Sequence, residues 1–246
     1  MQPTYVENKV LKNIEIAENI YKLSVEGGFN GNPGQFYMLR CWDLEPFLSR
    51  PVSIHDINEE GISFLYEVKG RGTELLRGLK PGDTIKMTGP LGNGFSIDDI
   101  HGKVAIVAGG IGAAPMFYTA KSLKNSSIDL YAGFRDDVYM IDSFRDYVDN
   151  VYIATDKGTQ GFKGYITDIF DAKGYSAVLS CGPEVMMKKV IKKCTEVNVP
   201  VFVSFESRMA CGIGACLTCT CKTNGGNRRV CRDGPVFNGR DVMINA

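Results

Sequence analysis

Residues 208–221 read RMACGIGACLTCTC, so four of the chain's eight cysteines fall within fourteen positions, interleaved with glycine. Cys211, Cys216 and Cys219 are spaced C-x4-C-x2-C, and Cys231 follows after eleven intervening residues. This is the plant-type spacing for a [2Fe–2S] cluster. Each iron is tetrahedral and two of its positions are filled by shared sulfides, so each needs two thiolates. One tight loop offers three of the four, and a later cysteine closes the set. Gly212 and Gly214 suit such a loop, because glycine reaches positive φ freely and puts no Cβ between amide and sulfur. Structural zinc usually takes two C-x2-C knuckles, and only Cys216 and Cys219 make a clean pair. Cys221 is an ambiguous neighbour that shares a face with Cys219 if 217–222 is extended. Cys41 and Cys194, isolated in sequence, read as packed thiols.

A [2Fe–2S] centre passes single electrons, whereas metabolic reductants deliver two at once as hydride. A flavin interconverts the two currencies. Two segments have the residue types to hold one. In RPVS, Arg50 is placed to neutralise a pyrophosphate and Ser53 to hydrogen-bond the ring; in GRGT, residues 70–73, backbone amides and the Thr73 hydroxyl suit phosphate. Neither is specific alone, since an arginine before a proline is as often an ordinary surface residue. A dinucleotide site is indicated by GGIGAAP, where Gly109, Gly110 and Gly112 fall between an apolar run and a helical stretch. Pro115 falls in the first helical turn, where it is tolerated. The motif departs from G-x-G-x-x-G. Cys181, Gly182 and Pro183 end a second apolar run, and the plain alternative for Cys181 is a small buried residue at a turn. Asp136 and Asp137, after Arg135, disfavour a 2′-phosphate.

The elements that must position these residues divide the chain in three. Residues 1–100 alternate with period two (Tyr21, Leu23, Val25; Ile62, Phe64, Tyr66, Val68) between turn clusters such as GGFNGNPG and LKPGD, which predicts a small antiparallel β-barrel. Residues 101–204 alternate apolar strands with helices: VAIVA, a helix with Met116, Phe117, Ala120 and Leu123 on one face, IDLYAGF, a helix near 142–148, VYIAT, a helix near 166–172, AVLSC, a helix over 184–196, then VFVSF. That order predicts βαβ units, hence a parallel-sheet α/β domain. Residues 205–246 follow neither pattern and are too poor in apolar residues for a core of their own, so they need a metal or cross-links to hold a shape.

Composition limits the partners. Lys+Arg and Asp+Glu are both 28 in 246 residues, which argues against nucleic acid as the main partner. No basic stretch followed by an apolar one opens the chain, and no run of 18 apolar residues occurs, so neither export nor a membrane span is expected. Eight cysteines in such a chain read as thiols or metal ligands of a cytoplasmic protein rather than a disulfide framework.

The R-P-x-S segment, G-G-x-G-x-x-P and C-G-P together resemble the ferredoxin–NADP reductase superfamily. With MACGIGAC, the downstream VCRDGPVF and the order barrel, nucleotide domain, cluster, essentially the whole chain resembles the electron-transfer subunits of type B dihydroorotate dehydrogenase. The resemblance implies FAD in the barrel, held by Arg50, Pro51, Val52, Ser53, the strand Leu65, Tyr66, Glu67, and Gly72 and Thr73. It implies NAD(H) on the second domain and a [2Fe–2S] cluster on Cys211, Cys216, Cys219 and Cys231. It further implies an FMN-containing catalytic subunit as partner, two of each chain in a heterotetramer, with electrons from dihydroorotate passing through cluster and FAD to NAD+. Two departures from the broader superfamily stand out: Val52 occupies a place where an aromatic often packs on the flavin, and the chain ends DVMINA with no aromatic to cover the ring. The rival readings are a reductase subunit serving another acceptor, of the ferredoxin:NADP oxidoreductase or sulfite reductase type, and a redox-sensing or zinc-binding module without turnover.

Overall fold

The structure, a computed structural model, describes residues 3–243. The first six strands close into an antiparallel barrel: β1 (Thr4–Ala17), β2 (Ile20–Glu26), β3 (Phe36–Arg40), β4 (Arg50–Ile57), β5 (Gly61–Glu67) and β6 (Thr84–Leu91), in the order β1-β2-β5-β4-β3-β6. The alternating residues do what their period demands. Leu23 and Ile54 both pair in register with Phe64, and all three are fully buried. Truncating a side chain such as Phe64 to alanine costs roughly 3–5 kcal/mol. A short helix, α1 (Arg71–Arg77), plugs the barrel with Leu76. Unlike a half-exposed strand, β5 is buried on both faces, because Leu65 looks away from the barrel core into a groove.

Beyond residue 101 the chain builds β7 (Gly102–Gly109), α2 (Ala113–Ser122), β8 (Ser126–Phe134), β9 (Asn150–Thr155), β10 (Phe162–Lys163), α3 (Ile166–Ile169), β11 (Ala177–Cys181), α4 (Glu184–Glu196) and β12 (Val201–Ser204). These strands are parallel in the order β10-β9-β8-β7-β11-β12. Val104, Ile106 and Ala108 of β7 pack with α2, while Ala105 and Val107 pack with α4 on the other face. Burial on both faces explains a continuous apolar run where an alternating one would otherwise be expected. The buried residues of α4, Met186, Met187, Val190 and Cys194, recur at helical spacing, so Cys194 is a packed thiol.

Two expected helices are much shorter than the sequence pattern indicates. Around 142–148 there is only a single tight turn at Ile141–Phe144, anchored by the buried pair Ile141 and Phe144. Near 166–172 the chain leaves α3 after Ile169, because Phe170 turns extended to pack against Tyr131 and Tyr175.

The last segment forms a hairpin, β13 (Thr220–Thr223) and β14 (Gly226–Arg229), a turn of helix α5 (Val230–Asp233), and β15 (Val236–Asn238). β15 pairs antiparallel with β12 and so completes the edge of the nucleotide sheet. Cys219, Val230 and Cys231 share one core with Met38 and Leu91 of the barrel and Val203 of the sheet. The segment borrows its core from both neighbours. Among the described residues no helix is long and apolar enough to cross a membrane.

Barrel and sheet meet through α2 and β4. The buried His55 ring approaches the Ala114 carbonyl at 2.9 Å and stacks near Phe117, Lys121 pairs with Asp56 at 2.7 Å, and Tyr118 donates to the Gly31 carbonyl. The sheet's strand order reverses between β7 and β11, and the crevice at their carboxyl ends opens toward the barrel groove.

Candidate functional site

The barrel groove gathers most of the residues expected to hold a flavin. Residues 50–53, 65–67 and Thr73 line it, facing Ile111, Ala114 and Pro115 of the second domain. Gly72 does not line the groove but shapes it: a Cβ there would fall on the Arg50 guanidinium, within 2.7 Å of Nη2. Arg50 is held between the Trp42 ring, 5.6 Å from its centroid, and the Leu48 carbonyl, to which Nη1 donates at 2.5 Å. It places a positive charge on the groove wall, as an anionic pyrophosphate requires. The Thr73 hydroxyl is already engaged: it donates to the Gly70 carbonyl at 2.9 Å and accepts from the Lys69 and Gly70 amides. It sets the shape of the loop entering α1.

At the sheet, the two glycine motifs are in contact. A Cβ on Gly112 would collide with the Cys181 carbonyl and lie 2.7 Å from the Gly182 nitrogen; one on Gly109 would lie 2.7 Å from Pro183 Cδ. Gly110 and Gly182 have positive φ. The loop after β7 and the turn after β11 therefore close on each other as bare backbone, leaving amides where a phosphate approaches. Cys181 is fully buried, and burial pushes its thiol up so that it stays protonated.

The cysteine loop wraps its sulfurs in amides. Gly214 N–H donates to Cys231 Sγ at 3.1 Å, Cys216 N–H to Cys211 Sγ at 3.4 Å and Cys231 N–H to Cys219 Sγ at 3.4 Å. Gly212, Gly214 and Leu217 all have positive φ, which turns the amides inward. Among the described residues no three such ligands converge on one point, as a single metal ion would require. Instead these amide bonds link the four cysteines in two couples, Cys216 to Cys211 and Cys231 to Cys219. Two thiolates per iron is the demand of a binuclear cluster, so the donor set fits [2Fe–2S]. Hydrogen bonds from Thr218 and Cys211 bring exposed Cys216 down to about 6, whereas burial pushes Cys231 up to about 12. Arg229 clamps the fourth ligand's turn, with Nε and Nη2 each 3.0 Å from the Asp233 carboxylate. Cys221 sits on β13 opposite Arg228, outside both couples.

The sequence gives little warning of the floor of the groove. Phe205, Glu206, Ser207 and Met209, from the stretch joining β12 to the cysteine loop, line it alongside Ser53. Phe205 stacks edge-on against Phe237 and brings an aromatic to the site, although the terminal residues offered none; the last three, 244–246, lie outside the described residues. An aromatic closing an apolar strand was the one available signal. Met209 reaches the groove and Cys211 lies two residues on, so the barrel groove and the cysteine loop are neighbours. A Cβ on Gly212 would lie 2.9 Å from Met38 Cγ and 3.1 Å from Leu91 Cδ1, which shows how closely the loop is seated on the barrel wall.

Comparison with known proteins agrees with this geometry. Residues 206–243 match the family model for the iron–sulfur cluster binding domain of dihydroorotate dehydrogenase B. The chain is 56% identical, over all of both proteins, to the dihydroorotate dehydrogenase B (NAD+) electron transfer subunit of Clostridium acetobutylicum. It is 48% identical to that of Clostridium perfringens, covering 98% of this chain and 99% of that protein. Among solved structures it is similar to a chain of an NADH-dependent reduced ferredoxin–NADP oxidoreductase studied for flavin-based electron bifurcation, with TM-score 0.85, 31% identity, and coverage of 96% of this chain and 90% of that one. A ferredoxin reductase of carbazole 1,9a-dioxygenase shares the fold at TM-score 0.68 and 21% identity, over 82% of this chain and 69% of that one. Full-length identity to these relatives, together with a cysteine loop seated beside the barrel groove, shows that the chain belongs to the family of electron transfer subunits of NAD+-dependent dihydroorotate dehydrogenase B.

Proposed function

We propose that this chain relays electrons taken from dihydroorotate, at the FMN of a separate catalytic subunit, to NAD+ in pyrimidine biosynthesis. In this reading residues 1–100 hold FAD, 101–204 hold NAD(H) and 205–246 hold the [2Fe–2S] cluster, in a cytoplasmic assembly of two catalytic and two electron-transfer chains. When bound, the cluster supplies single-electron passage and FAD supplies exchange between single electrons and hydride.

The chain's own residues prepare both sites. Arg50, Pro51, Val52 and Ser53 with Leu65, Tyr66 and Glu67 form the flavin walls, and Gly72 leaves room for Arg50 while Thr73 shapes the adjoining loop. Gly109, Gly110 and Gly112, against Cys181, Gly182 and Pro183, present bare backbone to the dinucleotide. Cys211, Cys216, Cys219 and Cys231 hold the irons.

The observation that carries the reading is the continuity of groove and cysteine loop through residues 205–211, which keeps an electron's path short. Ile213 and Leu217, 52% and 61% exposed on that loop, give its outer rim the apolar character of a docking surface for the catalytic subunit. The test is the visible spectrum and metal content of anaerobically purified protein, followed by addition of NADH and co-purification from the native host. Flavin and cluster absorption, bleaching by NADH and recovery of the catalytic subunit are expected. Protein that carries FAD yet reacts with no nicotinamide would remove the relay reading.

A further inference from the structure

Residues 41–49, which join β3 to β4, are organised around one side chain. Arg40, the last residue of β3, donates through its guanidinium to the carbonyls of Trp42, Asp43, Leu44 and Phe47. The Trp42 ring is buried, and its indole N–H donates to the Pro46 carbonyl. With the backbone tied in this way, Leu44 and Phe47 are held out into solvent, 83% and 84% exposed. Single exposed apolar residues are ordinary, but two presented together by a loop built around an arginine mark an interaction site.

The loop springs from the barrel wall that seats the cysteine loop. Along β3, Tyr37 and Leu39 point into the barrel core, so Phe36, Met38 and Arg40 point outward. Gly212 is seated on Met38, and Arg40 follows two residues later, about 7 Å along the strand. Thr88 pairs with Met38 on one side and with Tyr5, itself 61% exposed, on the other. Leu44, Phe47 and Tyr5 therefore belong to the same wall as the Ile213 and Leu217 rim. The same loop also supports Arg50: the Leu48 carbonyl accepts from its Nη1 at 2.5 Å, and the Trp42 ring centroid lies 5.6 Å from the Arg50 guanidinium and 5.8 Å from that of Arg40.

We propose that residues 41–49 are a docking loop for the catalytic subunit, anchored by Leu44 and Phe47, and that the loop couples docking to retention of FAD through Trp42 and Arg50. The assignment rests on the relay reading and on the placement of FAD in the groove. A chain that exchanges electrons with the cluster sits against the cysteine loop, and one seated on Ile213 and Leu217 extends along β3 to Arg40 and the loop it organises. Phe47 and Leu44 would enter apolar recesses of that partner, the usual way a few side chains carry an interface. A docked partner restrains the backbone that carries the Leu48 carbonyl and the Trp42 ring. Arg50 is thereby held for its anionic ligand, and the linkage is reciprocal: bound FAD favours the partner as the partner favours FAD. Arg40 is a positioning residue, because it fixes the loop and touches neither ligand.

The test uses the FAD- and cluster-loaded chain and the purified catalytic subunit under anaerobic conditions. Phe47→Ser and Leu44→Ser are each expected to weaken association roughly tenfold or more while leaving NADH-to-dye activity of the free chain unchanged. Ile14→Ser, which alters a half-exposed residue on the β1–β2 side of the barrel, should leave association unchanged. Arg40→Lys keeps the charge but not the fork that binds the carbonyls, so it should weaken association although no apolar side chain is lost. Saturating catalytic subunit should slow FAD release, read as recovery of free-flavin fluorescence, about tenfold in the parent chain and much less in Arg40→Lys. Unchanged association in Phe47→Ser and Leu44→Ser would overturn the docking loop. So would a self-association of the free chain that Phe47→Ser abolishes, or a loss of FAD affinity in free Phe47→Ser with association intact, since the loop would then serve a second copy or the flavin. Equal slowing of FAD release in parent and Arg40→Lys would overturn the coupling and assign the effect to the partner covering the groove. A parent chain that does not associate with the catalytic subunit would instead remove the relay reading, and this assignment with it.

Discussion

The Arg50 guanidinium lies over the α-carbon of Gly72, so closely that a single methyl group at position 72 would overlap it. One residue from β4 and one from α1 thus share a space that only a glycine leaves open. Arg50→Ala is expected to weaken FAD binding by removing charge-assisted bonds, each roughly 1.5–3 kcal/mol, or about ten- to a hundredfold per bond. Gly72→Ala should weaken it as well by displacing the guanidinium. Titration of the flavin-free chain by FAD fluorescence measures both, and unchanged affinity in either variant would count against this placement.

The two cysteine couples lead to a second expectation. Serine at 211, 216, 219 or 231 opens a coordination position on one iron and should abolish or severely weaken the [2Fe–2S] signal in electron paramagnetic resonance. Association with the catalytic subunit should fall in parallel, because the loop carrying Ile213 and Leu217 loses its shape. NADH-to-dye activity should largely survive, since barrel and sheet have their own cores. Cys221→Ser should keep the cluster. Loss of the cluster in Cys221→Ser with retention in Cys219→Ser would reverse the choice of third ligand.

Nicotinamide choice is expected to depend on Asp136, just beyond the carboxyl end of β8, whose carboxylate holds Lys157 at 2.8 Å. Lys157 is thereby engaged, and Asp136 itself repels a 2′-phosphate. NADPH should therefore bleach the flavin markedly less well than NADH. Asp136→Asn should narrow the gap by releasing Lys157 and removing the negative charge. Stopped-flow comparison of the two reductants decides it; an unaltered ratio would place discrimination elsewhere.

Stability should depend on pH through His55. Burial depresses this imidazole from 6.5 to about 3, with the Ala114 carbonyl partly opposing the shift. A depressed folded value means that the unfolded chain binds the proton first. The His55 contribution is therefore complete above pH 6.5 and is lost as pH falls toward 3, with a limiting slope of about 1.4 kcal/mol per pH unit. Denaturant titrations between neutral pH and about pH 5 should show a shallower pH dependence in His55→Gln than in the parent chain. Parallel slopes would contradict a buried neutral imidazole.

Much of this was legible in the chain because it is local. The C-x4-C-x2-C spacing specifies a loop whose sulfurs must converge, whatever surrounds it. The period-two runs at Leu23–Val25 and Ile62–Phe64, and the unbroken VAIVA at 104–108, announce a barrel and a doubly covered sheet, because side-chain direction along a strand follows from backbone geometry alone. Helix length was less legible. Phe170 left its helix to satisfy an aromatic cluster assembled from Tyr131 and Tyr175, and a window around residue 170 that reaches Tyr175 does not contain Tyr131.

The site itself was decided by tertiary structure. Arg50 against Gly72, Gly112 against Cys181, and Gly212 against Met38 are contacts between elements far apart in sequence. Phe205 closes the VFVSF strand and Met209 precedes the first cysteine, and neither place marks residues 205–209 as groove residues until folding lays them along the groove with residues 50–53. The C-terminal segment does lack enough apolar residues for a private core, as its composition implies. What composition does not encode is that Cys219, Val230 and Cys231 find one between barrel and sheet, because burial depends on which surfaces meet, and that is settled only when the whole chain packs.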